Sequence, residues 1–227
     1  MNIVTTHNLK KYFGKDAYLV KALDGIDLSI EKGKFTAITV GSGSVKSTLL
    51  HTIGGLYEPT EGSVFVDGVN LASLTEEELT VFRRRKVGFI FQDYNLIPEL
   101  TIEENILFPL ALDDSRPDKA FFEKITTLLG LRKRLNDYPY MLSGGAQQCS
   151  AIARAFITRP SLILADEPTG SFDSKTSQNI AGLLKMTVET FHQTLILITH
   201  DPELAQLADR VIHLQNGGTR GMIIIPP

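Results

Sequence analysis

The sequence contains no tryptophan and a single cysteine, Cys149, among its 227 residues. One cysteine cannot form an internal disulfide, which excludes a disulfide-stapled secreted scaffold and favours a reducing compartment. The sequence also lacks an apolar run of about 18 residues and an apolar signal region, so neither a membrane-spanning helix nor a secretory leader is predicted. We therefore expect a cytoplasmic protein that reaches a membrane only through a partner or at the membrane surface.

Neither sign of charge is in strong excess. The formal net charge is −3 and 22% of the residues are charged, so no global basic field indicates nucleic-acid binding. One local basic run, Arg83-Arg84-Arg85-Lys86, is interpreted as a solvated helix end, with a polyanion patch as the alternative. A chain of this length can bury one sizeable core, either as one domain or as one domain with an inserted lobe.

Two hydrophobic patterns predict two kinds of strand. Apolar and polar residues alternate through residues 21–30, which indicates short antiparallel strands near the amino terminus, and residues 63–68 are typical of a further edge strand and turn. Two nearly continuous apolar strands, 162–165 and 194–198, lie on either side of a helical pattern. Such strands are typical of a parallel sheet that is covered on both faces.

Residues from about 93 to 159 contain several prolines and mostly helical periodicity. We therefore expect one α/β domain: residues 1–92 and 160–227 form the core with its antiparallel part, and about 93–159 form an inserted helical subdomain.

The most informative segment is Val40-Gly41-Ser42-Gly43-Ser44-Val45-Lys46-Ser47-Thr48, which follows an apolar strand and precedes a helical pattern. A strand, a tight loop of small residues and a helix start are the layout of a phosphate-binding P-loop. In that motif Lys46 reaches the β- and γ-phosphates of a nucleotide and Ser47 contacts Mg²⁺. The motif also requires glycine at two positions where this chain has Val40 and Val45.

Asp166 and Glu167 follow directly after the buried strand 162–165. Ligands of open α/β sheets bind beyond the carboxyl ends of the strands. Two adjacent carboxylates at such a place are costly to desolvate without a cation or another partner. The sequence therefore predicts that Asp166 organises Mg²⁺ and that Glu167 orients or deprotonates a water molecule.

Three further polar groups lie near predicted strand ends or helix starts. Gln92 follows a buried strand and could bridge Mg²⁺ and water, and His200 ends strand 194–198, where it could reach a γ-phosphate. Leu142-Ser143-Gly144-Gly145 precedes a helix predicted over residues 146–158, whose free N–H groups could meet an anion. Each feature alone is equally compatible with a surface residue or an ordinary loop.

In their order, these motifs resemble those of the ATP-binding subunit of an ABC transporter over essentially the whole chain. Residues 142–145 resemble the signature motif of that family, residues 162–168 its Walker B strand with the catalytic glutamate, and residues 171–173 its D-loop. Gln92 matches its Q-loop residue and His200 its switch histidine. Phe13 falls where the family has an aromatic residue that stacks on adenine.

The resemblance implies a P-loop NTPase (RecA-like) core with a mostly parallel sheet, an amino-terminal antiparallel β subdomain and an inserted α-helical subdomain. It implies ATP and Mg²⁺ as ligands, with Lys46, Gln92, Glu167 and His200 as catalytic residues and Ser47, Gln92 and Asp166 at the metal. Residues 40–48 would hold the phosphates. The insert 18–20 and residues 89–98 resemble the subfamily that serves lipoprotein release, macrolide export and antimicrobial-peptide resistance.

Members of the family work as dimers, so Ser143, Gly144 and Gly145 of one chain would bind the ATP that is held by the P-loop of the other. The resemblance also implies an integral membrane permease, contacted near residues 94–105, and a location on the inner face of the cell membrane. Both a homodimer and a heterodimer of ATP-binding subunits are compatible with it. Nucleic-acid-acting relatives usually carry two such domains per chain, which does not favour that class.

Four positions depart from the family pattern: Val40 and Val45 in the P-loop, and Ala146 and Cys149 where the signature helix usually carries Gln and Arg. A β-branched residue forced to positive φ costs roughly 1–2 kcal/mol, and a side chain can also obstruct the phosphate. One hypothesis is therefore a working motor ATPase with impaired ATP binding. The alternative is a degenerate, weakly hydrolysing or inactive protein of the same fold that acts as a regulatory or interaction partner.

Overall fold

The computed structural model describes residues 1–40, 43–215 and 218–225, and it describes their side chains except at residues 17, 40, 43–45, 215 and 218–225. The strands of these residues are, in chain order, β1 (Asn2–Phe13), β2 (Val20–Glu31), β3 (Phe35–Val40), β4 (Glu61–Val66), β5 (Val69–Asn70), β6 (Val87–Ile90), β7 (Leu162–Asp166), β8 (Leu195–Ile198), β9 (Arg210–Gln215) and β10 (Gly218–Ile225). The α-helices are α1 (Gly43–Ile53), α2 (Glu76–Lys86), α3 (Ile102–Ala111), α4 (Lys119–Leu128), α5 (Gly144–Phe156), α6 (Ser174–Phe191) and α7 (Pro202–Ala205).

A six-stranded sheet in the order β10-β9-β3-β8-β7-β6 forms the centre of the fold. Strands β9, β3, β8, β7 and β6 run parallel, and β10 pairs antiparallel with β9 at one edge. All residues of β8 are buried, as expected for a parallel strand covered on both faces. The α/β fold and the parallel strands expected at 162–165 and 194–198 are confirmed.

A second sheet is antiparallel and has the order β2-β1-β4-β5. The antiparallel strands expected near the amino terminus are therefore present, although β1 and β2 each span 12 residues rather than being short. The prediction of an edge strand at 63–68 is wrong in one respect, because β4 lies between β1 and the two-residue strand β5. Alternating polarity reports which face of a strand is buried, but not which strands flank it.

Helices cover both faces of the six-stranded sheet. On one face, α1 contributes Leu49, Leu50 and Ile53 to a core shared with the antiparallel sheet, and all three are fully buried. On the other face, α3 to α7 contribute to a second core, in which Phe156 is the largest of the fully buried side chains. Burying a Phe of this kind stabilises the fold by about 2–3 kcal/mol relative to leaving it exposed.

The chain between β6 and β7 contains α3, α4 and α5, which agrees with the helical periodicity of residues 93–159. Capping residues fix the starts of these helices: Thr101 forms a capping box with Glu104, and Asp118 accepts a hydrogen bond from the Phe121 N–H. Helix α5 begins at Gly144, two residues earlier than the sequence predicted, because Ser143 is its N-cap. The helices pack on the sheet itself, and the division into core and inserted subdomain stays a prediction.

Each residue of the basic run at the end of α2 is bound to another part of the molecule, although Arg85 and Lys86 stay exposed to solvent. Arg84 and Arg85 both bind the Asp113 carboxylate, with shortest distances of 2.5 and 2.7 Å. Arg83 donates to the carbonyl oxygen of Gly55, and Lys86 pairs with Asp67 at 3.2 Å. These contacts tie α2 to the rest of the molecule.

None of the helices in the described part of the chain has the length and apolar character needed to cross a membrane.

Candidate active site

The polar groups expected at strand ends meet at one edge of the parallel sheet. Ala165 is the register partner of Ile90, and Asp166 is the register partner of Ile198. Strands β6, β7 and β8 therefore end side by side, and the residues that follow them are Gln92, Glu167 and His200. Helix α1, which carries Lys46, packs against β7 and β8.

Glu167 is the centre of this site. Its Oε1 atom lies 2.9 Å from Nζ of Lys46 and 2.7 Å from Nδ1 of His200, and its Oε2 atom accepts a hydrogen bond of 3.3 Å from the His200 N–H. Burial opposes ionisation of this carboxyl, but the hydrogen bonds from His200 and Lys46 outweigh it and the pKa of Glu167 is lowered. The carboxylate is therefore ionised and able to accept a proton at neutral pH.

The backbone of Glu167 adopts a left-handed conformation, with φ of 43°. A non-glycine residue rarely adopts this region, at a cost on the order of 1 kcal/mol, and such strain concentrates at functional sites. Two hydrogen bonds hold it: the Glu167 N–H donates to the Ile198 carbonyl at 2.9 Å, and the Gly170 N–H donates to the Glu167 carbonyl at 3.0 Å. This turn directs the carboxylate towards Lys46 rather than along the strand.

Asp166 presents the group that best suits a divalent cation. Its Oδ1 atom is buried and has no hydrogen-bond partner among the described residues, which is costly for a carboxylate without a cation. No group of three or more His, Cys, Asp or Glu side chains in the described part of the chain could hold a metal ion by itself. Mg²⁺ is usually held by one or two carboxylates together with water and substrate phosphates, so the donor set of Asp166, Ser47 and Gln92 fits it.

Gln92 lies against the turn that follows Glu167. A Cβ atom built on Gly170 would be only 3.3 Å from the side-chain amide carbon of Gln92, so the absence of a side chain at Gly170 makes room for this amide. Gln92 itself is exposed and can reach solvent or a ligand. The structure thus joins Lys46, Glu167 and His200 through direct contacts and places Gln92 beside the turn that follows Glu167.

Residues 142–145 lie at the start of α5. The Ser143 hydroxyl accepts a hydrogen bond of 3.4 Å from the Ala146 N–H, while the side chain stays exposed. A Cβ atom built on Gly144 would lie 2.8 Å from the Tyr94 hydroxyl and 3.0 Å from the Phe172 ring, and these two rings stack with centroids 6.0 Å apart. Gly144 is therefore required by close packing against two aromatic side chains.

Phe13 ends β1 and is 39% exposed, so its ring is accessible to a flat ligand. It packs edge-on against Tyr57 with centroids 5.7 Å apart, and the Lys11 ammonium lies 5.2 Å from its centroid. Stacking on a nucleobase needs an accessible aromatic face of this kind.

Two of the predicted phosphate-binding residues, Gly41 and Ser42, lie outside the described residues. Val40 is the last residue of β3 and pairs with Leu214, and Val45 lies within the first turn of α1. The left-handed backbone assumed for these valines is therefore wrong, because strands and right-handed helices have negative φ. Thr48 is buried, and Ser47 is partly exposed.

Cys149 lies on the buried face of α5, where it is 5% exposed and where burial raises the pKa of its thiol to about 11. Sequence reasoning also missed Gln148, which is fully buried beside the site. No signal in the sequence distinguishes it, because a glutamine on a helix is ordinarily exposed.

Comparison with known proteins places this geometry in context. The family model described as ABC transporter matches residues 23–170. The bacitracin export ATP-binding protein BceA of Halalkalibacterium halodurans is 40% identical over 96% of this chain and 87% of its own length. The lipoprotein-releasing system ATP-binding protein LolD of Bordetella avium is 40% identical over 92% of each chain.

A solved structure also resembles this chain. A dimeric structure of the ATP-binding cassette MJ0796 in a post-hydrolysis state, bound to ADP and Pi, superposes with a TM-score of 0.86. It is 38% identical, and the match covers 97% of each chain. The P-loop NTPase fold expected from the sequence is confirmed.

Proposed function

This chain belongs to the ABC transporter family and is an ABC-type ATPase, and we propose that it is the ATP-binding subunit of an export system that acts through a membrane partner. The observation that carries this proposal is the cluster of Lys46, Glu167 and His200 beside the unpartnered Oδ1 atom of Asp166. This cluster places three groups at one edge of the sheet: a cation that can bind phosphate, an ionised base and a carboxylate suited to Mg²⁺.

The residues have distinct roles in hydrolysis. Lys46 leaves Glu167 to hold the β- and γ-phosphates, near the positive end of the α1 dipole. Glu167 then orients the attacking water and accepts its proton, and His200 lies at the γ-phosphate. Asp166, Ser47 and Gln92 would hold Mg²⁺, which neutralises charge that develops on the phosphate oxygens.

We further propose that two ATP-binding subunits form the working unit. Ser143, Gly144 and Gly145 would then bind the nucleotide held by residues 40–48 of the other chain. The exposed Ser143 at the amino end of α5, where backbone N–H groups face outwards, supports this role. Phe13 would stack on the adenine.

The membrane partner would contact the surface near residues 94–105, on the helical subdomain of about 93–159. A largely apolar cavity of about 440 Å³ adjoins this segment and supports the proposal. Its lining includes Phe91, Asn95, Ile97, Phe108 and Arg154. Phe91 directly precedes Gln92, and Asn95 follows it after Asp93 and Tyr94. An occupant of the cavity would therefore act next to the candidate active site. The chain would thereby be held at the cytoplasmic face of the membrane.

We also propose that Val40 and Val45 weaken ATP binding. Both lie in regular secondary structure, so the cost would come from the volume of the valine side chains and not from backbone strain. The retention of Lys46, Asp166 and Glu167 favours a working ATPase over a degenerate interaction protein.

Steady-state ATP hydrolysis by the chain and by Glu167→Gln tests the proposed function. We expect Glu167→Gln to abolish turnover and to favour an ATP-bound dimer in size-exclusion chromatography, while Glu123→Gln, an exposed residue of α4, leaves both unchanged. Undiminished turnover in Glu167→Gln would refute the assigned base. If neither the chain nor its Val40→Gly/Val45→Gly variant hydrolyses ATP, the degenerate alternative is correct.

A further inference from the structure

Gln148 is a fully buried side chain that connects two functional loops. Its Nε2 atom donates one hydrogen bond of 2.7 Å to the Pro168 carbonyl and a second of 3.3 Å to the Phe91 carbonyl. Pro168 directly follows Glu167, and Phe91 directly precedes Gln92. One amide group on α5 therefore binds the backbone beside both the proposed base and the proposed metal-bridging glutamine.

These two contacts act where the backbone needs support. Glu167 is held at φ of 43°, and Pro168 lies within the turn that the hydrogen bond from the Gly170 N–H to the Glu167 carbonyl closes. A strained conformation persists only where its surroundings over-determine it. The hydrogen bond from Gln148 fixes the carbonyl side of this turn, and the Gln92 amide packs on the other side, against Gly170.

The amide of Gln148 has one stabilising and one destabilising side. Its Nε2 atom satisfies two backbone carbonyls, while its Oε1 atom is buried without a hydrogen-bond partner among the described residues. The unsatisfied acceptor offsets part of the stability that the two donated hydrogen bonds contribute. Gln148 thus keeps an acceptor atom without a partner, while its Nε2 atom holds two functional loops.

We propose that Gln148 is a positioning residue for ATP hydrolysis. It holds the Glu167 carboxylate and the Gln92 amide at fixed positions relative to each other, through the carbonyls of Pro168 and Phe91. The inference rests on the proposed function of Glu167. It assigns Gln148 no contact with nucleotide, so the catalytic rate and the nucleotide affinity should respond differently to its replacement.

The first test compares Gln148→Met with Gln193→Met. Methionine keeps the length of the side chain and removes both donors. Gln193 is the matched control because it also donates to a backbone carbonyl, that of Phe191, and also leaves a buried Oε1 atom without a partner, yet it precedes β8 at the opposite end of the sheet. We expect kcat of Gln148→Met to fall about tenfold while the Kd for ADP changes less than about twofold. Gln193→Met should retain both values, and equal kcat values in the two variants would overturn the proposal.

The second test does not depend on ATP hydrolysis. Amide hydrogen exchange of the nucleotide-free protein reports the turn directly, because the Gly170 N–H donates to the Glu167 carbonyl. We expect about tenfold faster exchange at residues 167–170 in Gln148→Met than in Gln193→Met. Unchanged exchange would overturn the positioning role even if kcat fell. If no variant hydrolyses ATP, the proposed function fails, while exchange still decides whether Gln148 holds the loop.

Discussion

The Nζ atom of Lys46 lies 2.9 Å from Oε1 of Glu167, so the lysine proposed to bind phosphate is paired with the carboxylate proposed to activate water. The two side chains are only 11% and 14% exposed, which limits screening of the pair by solvent. If Lys46 binds phosphate as proposed, phosphate and Glu167 compete for the same cation. Nucleotide binding would then weaken this ion pair and free Glu167 for chemistry.

This competition predicts that Glu167→Gln binds ADP more tightly. Removing the carboxylate frees Lys46 and removes a negative charge near the phosphates, so we expect roughly a fivefold lower Kd. Isothermal titration calorimetry with ADP measures it without interference from hydrolysis. Glu123→Gln, which changes charge on the surface of α4, should leave the Kd unchanged. Equal or weaker ADP binding by Glu167→Gln would show that the ion pair does not oppose the nucleotide.

A second prediction concerns acid stability and Asp67. Ser161 donates a 2.8 Å hydrogen bond to its carboxylate, Lys32 and Lys86 form ion pairs with it, and the pKa of Asp67 is lowered from 3.8 to about 2. The folded state favours the ionised form, so this stabilisation is complete above the unfolded-state pKa and is lost as the pH falls from about 5 to about 2.

For Asp67 the loss should amount to about 2 kcal/mol of the free energy of unfolding. Urea denaturation between these pH values measures it, and Asp67→Asn should lack this part of the pH dependence. Asp114→Asn, at an exposed position, should keep the full dependence. Parallel curves for the protein and Asp67→Asn would contradict the assignment.

A third prediction tests the close approach of β6 and α5. A Cβ atom at Gly88 would lie 2.3 Å from the backbone carbonyl oxygen of Ala155, which cannot move without shifting the helix. We expect Gly88→Ala to lower the free energy of unfolding by about 1–3 kcal/mol in urea denaturation. Gly182, on the exposed face of α6, has nothing within 4 Å of its Cβ position. Gly182→Ala should therefore be neutral or stabilising, and an equal loss in both variants would point to a general effect of alanine.

The strand ends of the site could be predicted because local sequence determines them. Continuous apolar runs indicate buried parallel strands, and the polar residues that follow, such as Glu167 and His200, must then share one edge. The partners of charged residues could not be predicted, because they depend on contacts far apart in sequence. Asp113 pairs with Arg84 and Arg85 across 29 and 28 positions, and nothing in the local pattern of the basic run indicates it.

The role of Gln148 could not be predicted for a related reason. A glutamine on a helix is ordinarily exposed, and only the tertiary fold places this one between the carbonyls of Phe91 and Pro168. The left-handed φ that the glycine pattern of a P-loop predicts at Val45 is wrong. In the structure the helix already includes this residue.

The last prediction separates two ways in which Val40 and Val45 could weaken ATP binding. Because one valine ends β3 and the other lies in α1, neither needs the backbone freedom of glycine. If side-chain volume is the obstacle, Val40→Ala/Val45→Ala should restore most of the affinity that Val40→Gly/Val45→Gly restores. If nucleotide binding instead pulls the loop into a left-handed conformation, only the glycine variant should recover.

We expect side-chain volume to be the cause, with the Kd for Mg-ATP at least about 30-fold lower in both double variants than in the matched protein that keeps both valines. Each measurement is made in the Glu167→Gln background, where the nucleotide is not consumed. The alanine variant is the decisive one, because it removes two methyl groups at each position and leaves the backbone preference of a non-glycine residue in place. Recovery by glycine alone would locate the defect in the backbone, and comparable affinity in all three proteins would show that the valines do not impair binding.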